Sequence, residues 1–420
     1  MYNISKSVYV NSVNIIKMRG LMINKKMHLL GRERSVIREI FEYGRKRKSE
    51  IGENAVFDFS LGNPSVPAPA EVNREIRRLL DTERDTVLHG YTSAAGAPEV
   101  REAIANYITS KHCFKTSSDF IYITVGAAAA LTSTLTAITN EGDEVIVIAP
   151  YFPEYKVFIE RCGAKTVSVM ADCDFQPDIA AIENAINEKT AAIIINSPNN
   201  PTGAVITEEK IKALADMLTK KSREIGHTVY LVADEPYREL AYGVSVPYIP
   251  CYYKNTIVCY SYSKSLSLPG ERIGYVAVSP EADYARDVYL AILGAGRALG
   301  YVCAPSLMQR ILPALMGASA DVELYNQNRI LLYNALTNMG YTAVKPDGAF
   351  YMFVKSPSGD AGELCERAKR HELLIVPSDS FGCGGYARIS YCVAREEIER
   401  ALPAFAALAE SYGLKGRKND

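Results

Sequence analysis

The chain reads as an α/β protein. A mostly parallel, mixed sheet covered by helices on both faces forms a large domain, and a smaller α/β unit accompanies it. Three observations predict this. Between residues 120 and 280, apolar runs of strand length alternate with helical stretches. Several runs are nearly continuous, such as Ala192-Ile-Ile-Ile195. A strand with one wet face alternates apolar and polar residues, whereas a strand buried on both faces does not, and parallel sheets under helices are of the second kind. A length of 420 residues exceeds what one core ordinarily fills, so two domains are expected.

Taken in order, Ser35 to Lys48 carries Val36, Ile37, Ile40 and Phe41 at helical spacing, with basic residues on the opposite face. Val56 to Leu61 reads as a strand. Gly62-Asn-Pro-Ser-Val-Pro-Ala-Pro69 is a loop, because its prolines cannot continue a regular element. Pro98 to Lys111 opens with proline and acids and carries an apolar stripe, so it is a helix. Strands are expected over Phe120–Thr124, Glu144–Ala149, Lys165–Val169, Ala191–Asn196, Val229–Asp234, Thr256–Tyr260 and Ile273–Val278. Helices are expected over Asp178–Glu188 and Thr207–Arg223. Helices dominate from 281 to 339. Short strands and helices alternate again from Gly348 to Tyr412, as the smaller unit.

Composition narrows the function. Hydrophobic residues make up 48% and charged residues 23%, the balance of an ordinary globular protein. The net charge of −1 gives no electrostatic support for binding nucleic acid. Nine cysteines without a Cys-x-x-Cys pair point to reduced thiols, and so to the cytoplasm rather than to a disulfide framework. Five histidines, no two at ligand spacing, offer no metal site. No apolar run approaches the ~20 residues of a membrane span. Residues 1–30 read as an N-terminal extension or arm, since the apolar pieces there are broken by polar residues.

In open α/β sheets, ligands sit beyond the carboxyl ends of the strands. Three consecutive predicted strands end in chemistry. Asn196-Ser-Pro-Asn-Asn-Pro-Thr-Gly203 follows the first, Asp234-Glu-Pro-Tyr237 the second, and Ser261-Tyr-Ser-Lys264 the third. Alone, each has a structural explanation: a proline turn, a helix cap, a surface lysine. Together they place an amide, a carboxylate with a phenol, and a lysine at one sheet edge. The richest stretch is Ser261-Tyr-Ser-Lys-Ser-Leu-Ser-Leu-Pro-Gly-Glu-Arg-Ile-Gly274. Lysine forms Schiff bases with carbonyl compounds, while serines and an arginine suit a dianionic phosphate. A carbonyl compound carrying a phosphate describes pyridoxal 5′-phosphate.

From about Phe57 to about Ala404 the constellation resembles the class I/II aminotransferases, the fold-type-I pyridoxal-phosphate enzymes. The resemblance implies a small domain from residues 31–65 and 310–420 around a cofactor-binding domain of residues 66–309. It implies that Lys264 holds the cofactor as a Schiff base and, once displaced by substrate, shuttles the proton at the α-carbon. Asp234 would pair with the pyridine nitrogen. Tyr237 and Asn200 would donate to the ring's phenolic oxygen, although a packed tyrosine and a turn asparagine account for them as well. Ser261, Ser263 and Arg272 would hold the phosphate, together with the backbone of Gly126, Ala127 and Ala128 at a helix start. Many relatives carry Ser or Thr in that loop. Alanine keeps the backbone donors and loses the side chain.

The resemblance further implies that Tyr91 reaches the phosphate of a neighbouring subunit, making a homodimer with shared active sites. Phe152 would stack on the cofactor ring, with Tyr151 as its rival. Arg388 would grip the substrate α-carboxylate, and Gly62 and Asn63 would close over the same group. Phe350 and Tyr351 either line the pocket or fill the core. The implied reaction moves the amino group of an L-amino acid, aspartate or glutamate first, to a 2-oxo acid by ping-pong kinetics. The alternative is β-elimination by a carbon–sulfur lyase, which uses the same cofactor ligands.

Overall fold

The computed structural model describes residues 23–32 and 35–416, so most of the expected N-terminal arm lies outside the described residues. The strands are β1 (Phe57–Asp58), β2 (Ile121–Thr124), β3 (Glu144–Ala149), β4 (Lys165–Met170), β5 (Thr190–Asn196), β6 (Tyr230–Asp234) and β7 (Thr256–Ser261). They continue as β8 (Gly274–Val278), β9 (Ala343–Val344), β10 (Tyr351–Lys355), β11 (Leu373–Leu374), β12 (Val376–Pro377) and β13 (Tyr386–Ser390).

Seven strands form the large sheet in the order β2-β8-β7-β6-β5-β3-β4. β8 runs antiparallel to both its neighbours, and the remaining pairs are parallel. The continuous apolar runs behave as their composition requires. Ile193 and Ile195 enter the core on one face of the sheet, and Ala192 and Ile194 enter the core on the other. Each fully buried isoleucine contributes roughly 1.5–3 kcal/mol.

The smaller unit is an antiparallel sheet in the order β12-β13-β10-β9, packed with the helices Val322–Asn338, Ala361–Lys369 and Arg395–Ser411. β1 pairs in parallel with β11, which ties the N-terminal segment to the C-terminal part. The helix Val36–Ile51 adds Ile40 to a cluster with Val56, Leu374, Val376 and Phe381. Ile311, Leu312 and Leu315 pack in the large-sheet core, whereas Ala320 and Tyr325 pack with the small sheet. We therefore propose that the second domain boundary lies between residues 315 and 320 rather than at 310.

Some elements differ from the sequence reading for local reasons. The strand expected over 56–61 pairs only at Phe57–Asp58. Oδ1 of Asp58 accepts from the Ser60 amide at 2.9 Å and the Ser60 hydroxyl at 2.6 Å, an Asx turn that ends the strand and releases Leu61 and Gly62. Asp178 and Thr207 cap the helices Ile179–Ala185 and Glu208–Ile225 rather than lying inside them. No helix among the described residues is long and apolar enough to cross a membrane.

Candidate active site

The register of the large sheet gathers the polar strand ends. Asn196 pairs with Asp234 across β5 and β6, and Ser261 ends the next strand opposite Gly274. A cavity of about 300 Å³ opens there, between the sheet and the small unit. Asn200, Asp234, Tyr237, Ser261, Ser263, Lys264, Arg272 and Arg388 all line it.

One end of the cavity is built for an anion. Ser261 donates to the Ser263 hydroxyl at 2.6 Å, and Arg272 Nη1 lies 3.4 Å from that same hydroxyl. Gly126 precedes the helix Ala127–Ile138 at φ 86°, a conformation that glycine adopts without strain. The first-turn amides of that helix, among them those of Ala127 and Ala128, have no intrahelical acceptor, and the positive end of its dipole favours negative charge. Ala127 and Ala128 line the cavity.

Lys264 stands in the short helix Tyr262–Ser265 and donates to the Gly62 carbonyl at 2.7 Å. No carboxylate pairs with it among the described residues. Burial lowers its pKa to about 8, and the charges of Arg272 and Arg388 add to the shift. A Cβ on Gly62 would lie 2.1 Å from the Tyr351 hydroxyl, so only glycine brings this carbonyl so close.

Asp234 is buried, and its pKa is raised to about 7, chiefly by desolvation, with Glu235 adding to the rise. Tyr155 donates to Oδ2, while Oδ1 is buried without a partner among the described residues. Asn196 Nδ2 donates to the Asp234 carbonyl at 2.8 Å, and Asn196 Oδ1 accepts from the Asn200 amide at 2.7 Å. Tyr237 and Tyr351 share a hydrogen bond of 2.9 Å between their hydroxyls. Tyr155 and Asn196 were not singled out from the sequence. Tyr155 lies three residues past Phe152, and Asn196 ends the apolar run of β5. Those positions were the available signal.

Arg388, in β13, is 2% exposed. Its Nη1 donates to Asn200 Oδ1 at 3.0 Å, its Nη2 donates to the Ser60 carbonyl, and its Nε has no partner among the described residues. The guanidinium lies over the Tyr351 ring at 4.6 Å. Burial lowers its pKa, and no carboxylate pairs with it among the described residues. A buried cation without a counter-ion is costly, and an incoming carboxylate would relieve that cost.

The structure separates the rival aromatics. Phe152 lines the cavity, and Tyr151 lies behind it against Gly382. Tyr351 lines the cavity, and Phe350 is buried beneath Lys264, whose amine stands 5.3 Å from its ring. Asn63 and Tyr91 do not line the cavity, and Tyr91 is 92% exposed. Ile37, expected only as a core residue, reaches the cavity from the first long helix.

A family model for aminotransferase class I and II matches residues 54–405. The chain belongs to this family. It is 31% identical over 377 residues to a probable aspartate aminotransferase of Methanocaldococcus jannaschii, covering 88% of this chain and 95% of that one. An aspartate/prephenate aminotransferase of Thermus thermophilus is 32% identical over 367 residues, covering 83% and 89%. Among solved structures, an aminotransferase from Eubacterium rectale superposes with a TM-score of 0.92 and 53% identity, covering 94% of this chain and all of that one. The Thermus thermophilus aspartate aminotransferase solved with maleate gives 0.82 and 26%, covering 92% and 100%.

This aminotransferase depends on pyridoxal phosphate. The cavity meets the cofactor's chemical demands. Among the described residues, Lys264 offers an amine free of any carboxylate and Asp234 Oδ1 an acceptor without a partner, while Ser261, Ser263, Arg272 and a helix start offer donors suited to an anion.

Proposed function

We propose that this aminotransferase runs both halves of a ping-pong exchange in the one cavity, taking nitrogen from an L-amino acid and passing it to a 2-oxo acid. Aspartate and glutamate are the first donors to assay, because the relatives bear names of aspartate aminotransferases. Bound pyridoxal phosphate supplies the aldehyde that takes up nitrogen and a ring that accepts the electrons released at the α-carbon.

The chain's own residues do the rest. Ser261, Ser263, Arg272 and the amides of Ala127 and Ala128 hold the phosphate. Asp234 accepts from the ring nitrogen, and Phe152 covers the ring. Asn200 gives its oxygen to Arg388 and keeps its Nδ2 as a donor for the phenolic oxygen. Tyr237 serves the same oxygen when Tyr351 donates to it. Arg388 grips the α-carboxylate through its fork and so orients the Cα–H bond. Lys264, with a pKa of about 8, accepts and returns that proton near neutral pH. Tyr91, exposed and outside the lining of its own cavity, supports a homodimer in which it serves the partner's phosphate. The chain acts in the cytoplasm, consistent with its unpaired cysteines.

One observation carries this reading: two cations without carboxylate partners among the described residues, Lys264 and Arg388, meet in one cavity a buried carboxylate oxygen that has no partner there either. The test is a half-reaction. Holoenzyme mixed with a single amino acid and no acceptor should lose its visible cofactor band and release one 2-oxo acid per site. A band that persists while pyruvate accumulates from cystathionine would mean β-elimination instead.

A further inference from the structure

Tyr155 belongs to the helix Glu154–Arg161, three residues after Phe152. Its side chain is buried, and its ring sits edge-on against Phe152, with centroids 5.7 Å apart. Its hydroxyl donates to Oδ2 of Asp234, while Oδ1 of the same carboxylate is buried without a partner among the described residues. The terminal torsion of an aspartate is broad, so its oxygens exchange unless one is held. A donor that takes one oxygen leaves the other as the available acceptor.

We infer that Tyr155 is a positioning residue: it holds Oδ2 of Asp234 so that Oδ1 remains the acceptor for the cofactor's ring N–H. The inference rests on the reading of Asp234 as the partner of that nitrogen. The same hydrogen bond favours the ionised carboxylate and works against burial, the main force raising its pKa, and against the neighbouring charge of Glu235. Glu235 is itself paired with Arg238 in a buried ion pair. The other titratable groups facing Asp234 are Tyr237 and Cys259, and burial pushes both up, so they stay neutral. No cation pairs with Asp234 among the described residues. Tyr155 is therefore the side-chain donor that offsets its desolvation.

The test measures the dissociation constant of pyridoxal phosphate from the reconstituted protein between pH 5.5 and 8.5. The proteins compared are wild type, Tyr155→Phe, Asp234→Ala and the double variant. Phenylalanine keeps the ring packing, and melting of the cofactor-free protein at pH 5 checks folding. Tyr155→Phe should weaken binding about tenfold at pH 7, the scale of a lost hydrogen bond to a charged group. Its low-pH loss of affinity should move up by about one pH unit. In the Asp234→Ala background, removing the hydroxyl should add nothing. Tyr155→His, which keeps a donor, should recover part of the affinity. Wild-type affinity in Tyr155→Phe at every pH, or additive losses in the double variant, would overturn the role of Tyr155. Wild-type affinity in Asp234→Ala would instead overturn the reading of Asp234 on which it rests.

Discussion

Gly126 and Arg272 compete for one space: a Cβ on residue 126 would lie 2.6 Å from Arg272 Nη2 and 2.9 Å from its Cζ. Arg272 itself adopts φ 51°, a left-handed conformation that costs a non-glycine residue about 1 kcal/mol or more. The backbone thus carries local strain while the guanidinium is set against the helix start. Gly126→Ala should push the guanidinium away and strain φ at 126. Equilibrium dialysis should show pyridoxal phosphate binding weakened by about tenfold or more, on a strain of ~1–3 kcal/mol. Pyridoxal without phosphate should bind the variant and the wild type alike.

Arg388→Ala should separate substrate binding from cofactor binding. Cofactor affinity should hold, while kcat/KM for amino acids falls about 10²–10³-fold, the scale of a lost charge-assisted fork. Arg388→Lys should recover only a small part, because an ammonium cannot match two carboxylate oxygens at once. Steady-state kinetics with a fixed 2-oxo acid acceptor checks this.

Two pKa shifts predict pH dependence of opposite kinds. The neutral amine of Lys264 is the nucleophile, so uptake of pyridoxal phosphate by the cofactor-free protein should speed up with pH and level off above about 8. Stopped-flow absorbance reads this rate. Asp234 titrates near 7 when folded against an ordinary 3.8, so the cofactor-free folded state binds more protons. That contribution to stability is fully present below about 4 and is lost as pH rises to about 7. Cofactor-free Asp234→Asn should therefore gain on wild type across that window and run parallel above it, as read by urea unfolding.

Tyr91 gives a prediction about assembly. If it serves the neighbouring subunit, mixing inactive Lys264→Ala chains with weakened Tyr91→Ala chains should restore activity. Each hybrid then holds one site with Lys264 from one chain and Tyr91 from the other. A mixture no more active than its parts would place Tyr91 outside the partner's site.

Much of this was legible in the sequence because it is written in local patterns. Continuous apolar runs announced strands such as β5, which is buried on both faces. The Ser261–Gly274 stretch announces a lysine beside hydroxyls and an arginine, and the structure brings Ser261, Ser263, Lys264 and Arg272 to one cavity. What escaped depends on long-range packing. Tyr155 reads as one more amphipathic helix residue until β6 brings Asp234 to its hydroxyl. Ile37 reads as core until packing of its helix brings it to the cavity lining. β1 ends earlier than the sequence predicts because an Asx turn at Asp58 outweighs the β propensity of Phe59. Which of Phe152 and Tyr151 meets the cavity depends on how the chain turns after β3, and composition does not encode that turn.

The measurement that tests the account most directly is borohydride reduction of the holoenzyme followed by peptide mass mapping. The account predicts a pyridoxyl phosphate mass fixed on Lys264 and on no other lysine. A label on a different lysine, or a cofactor released unreduced, would contradict it.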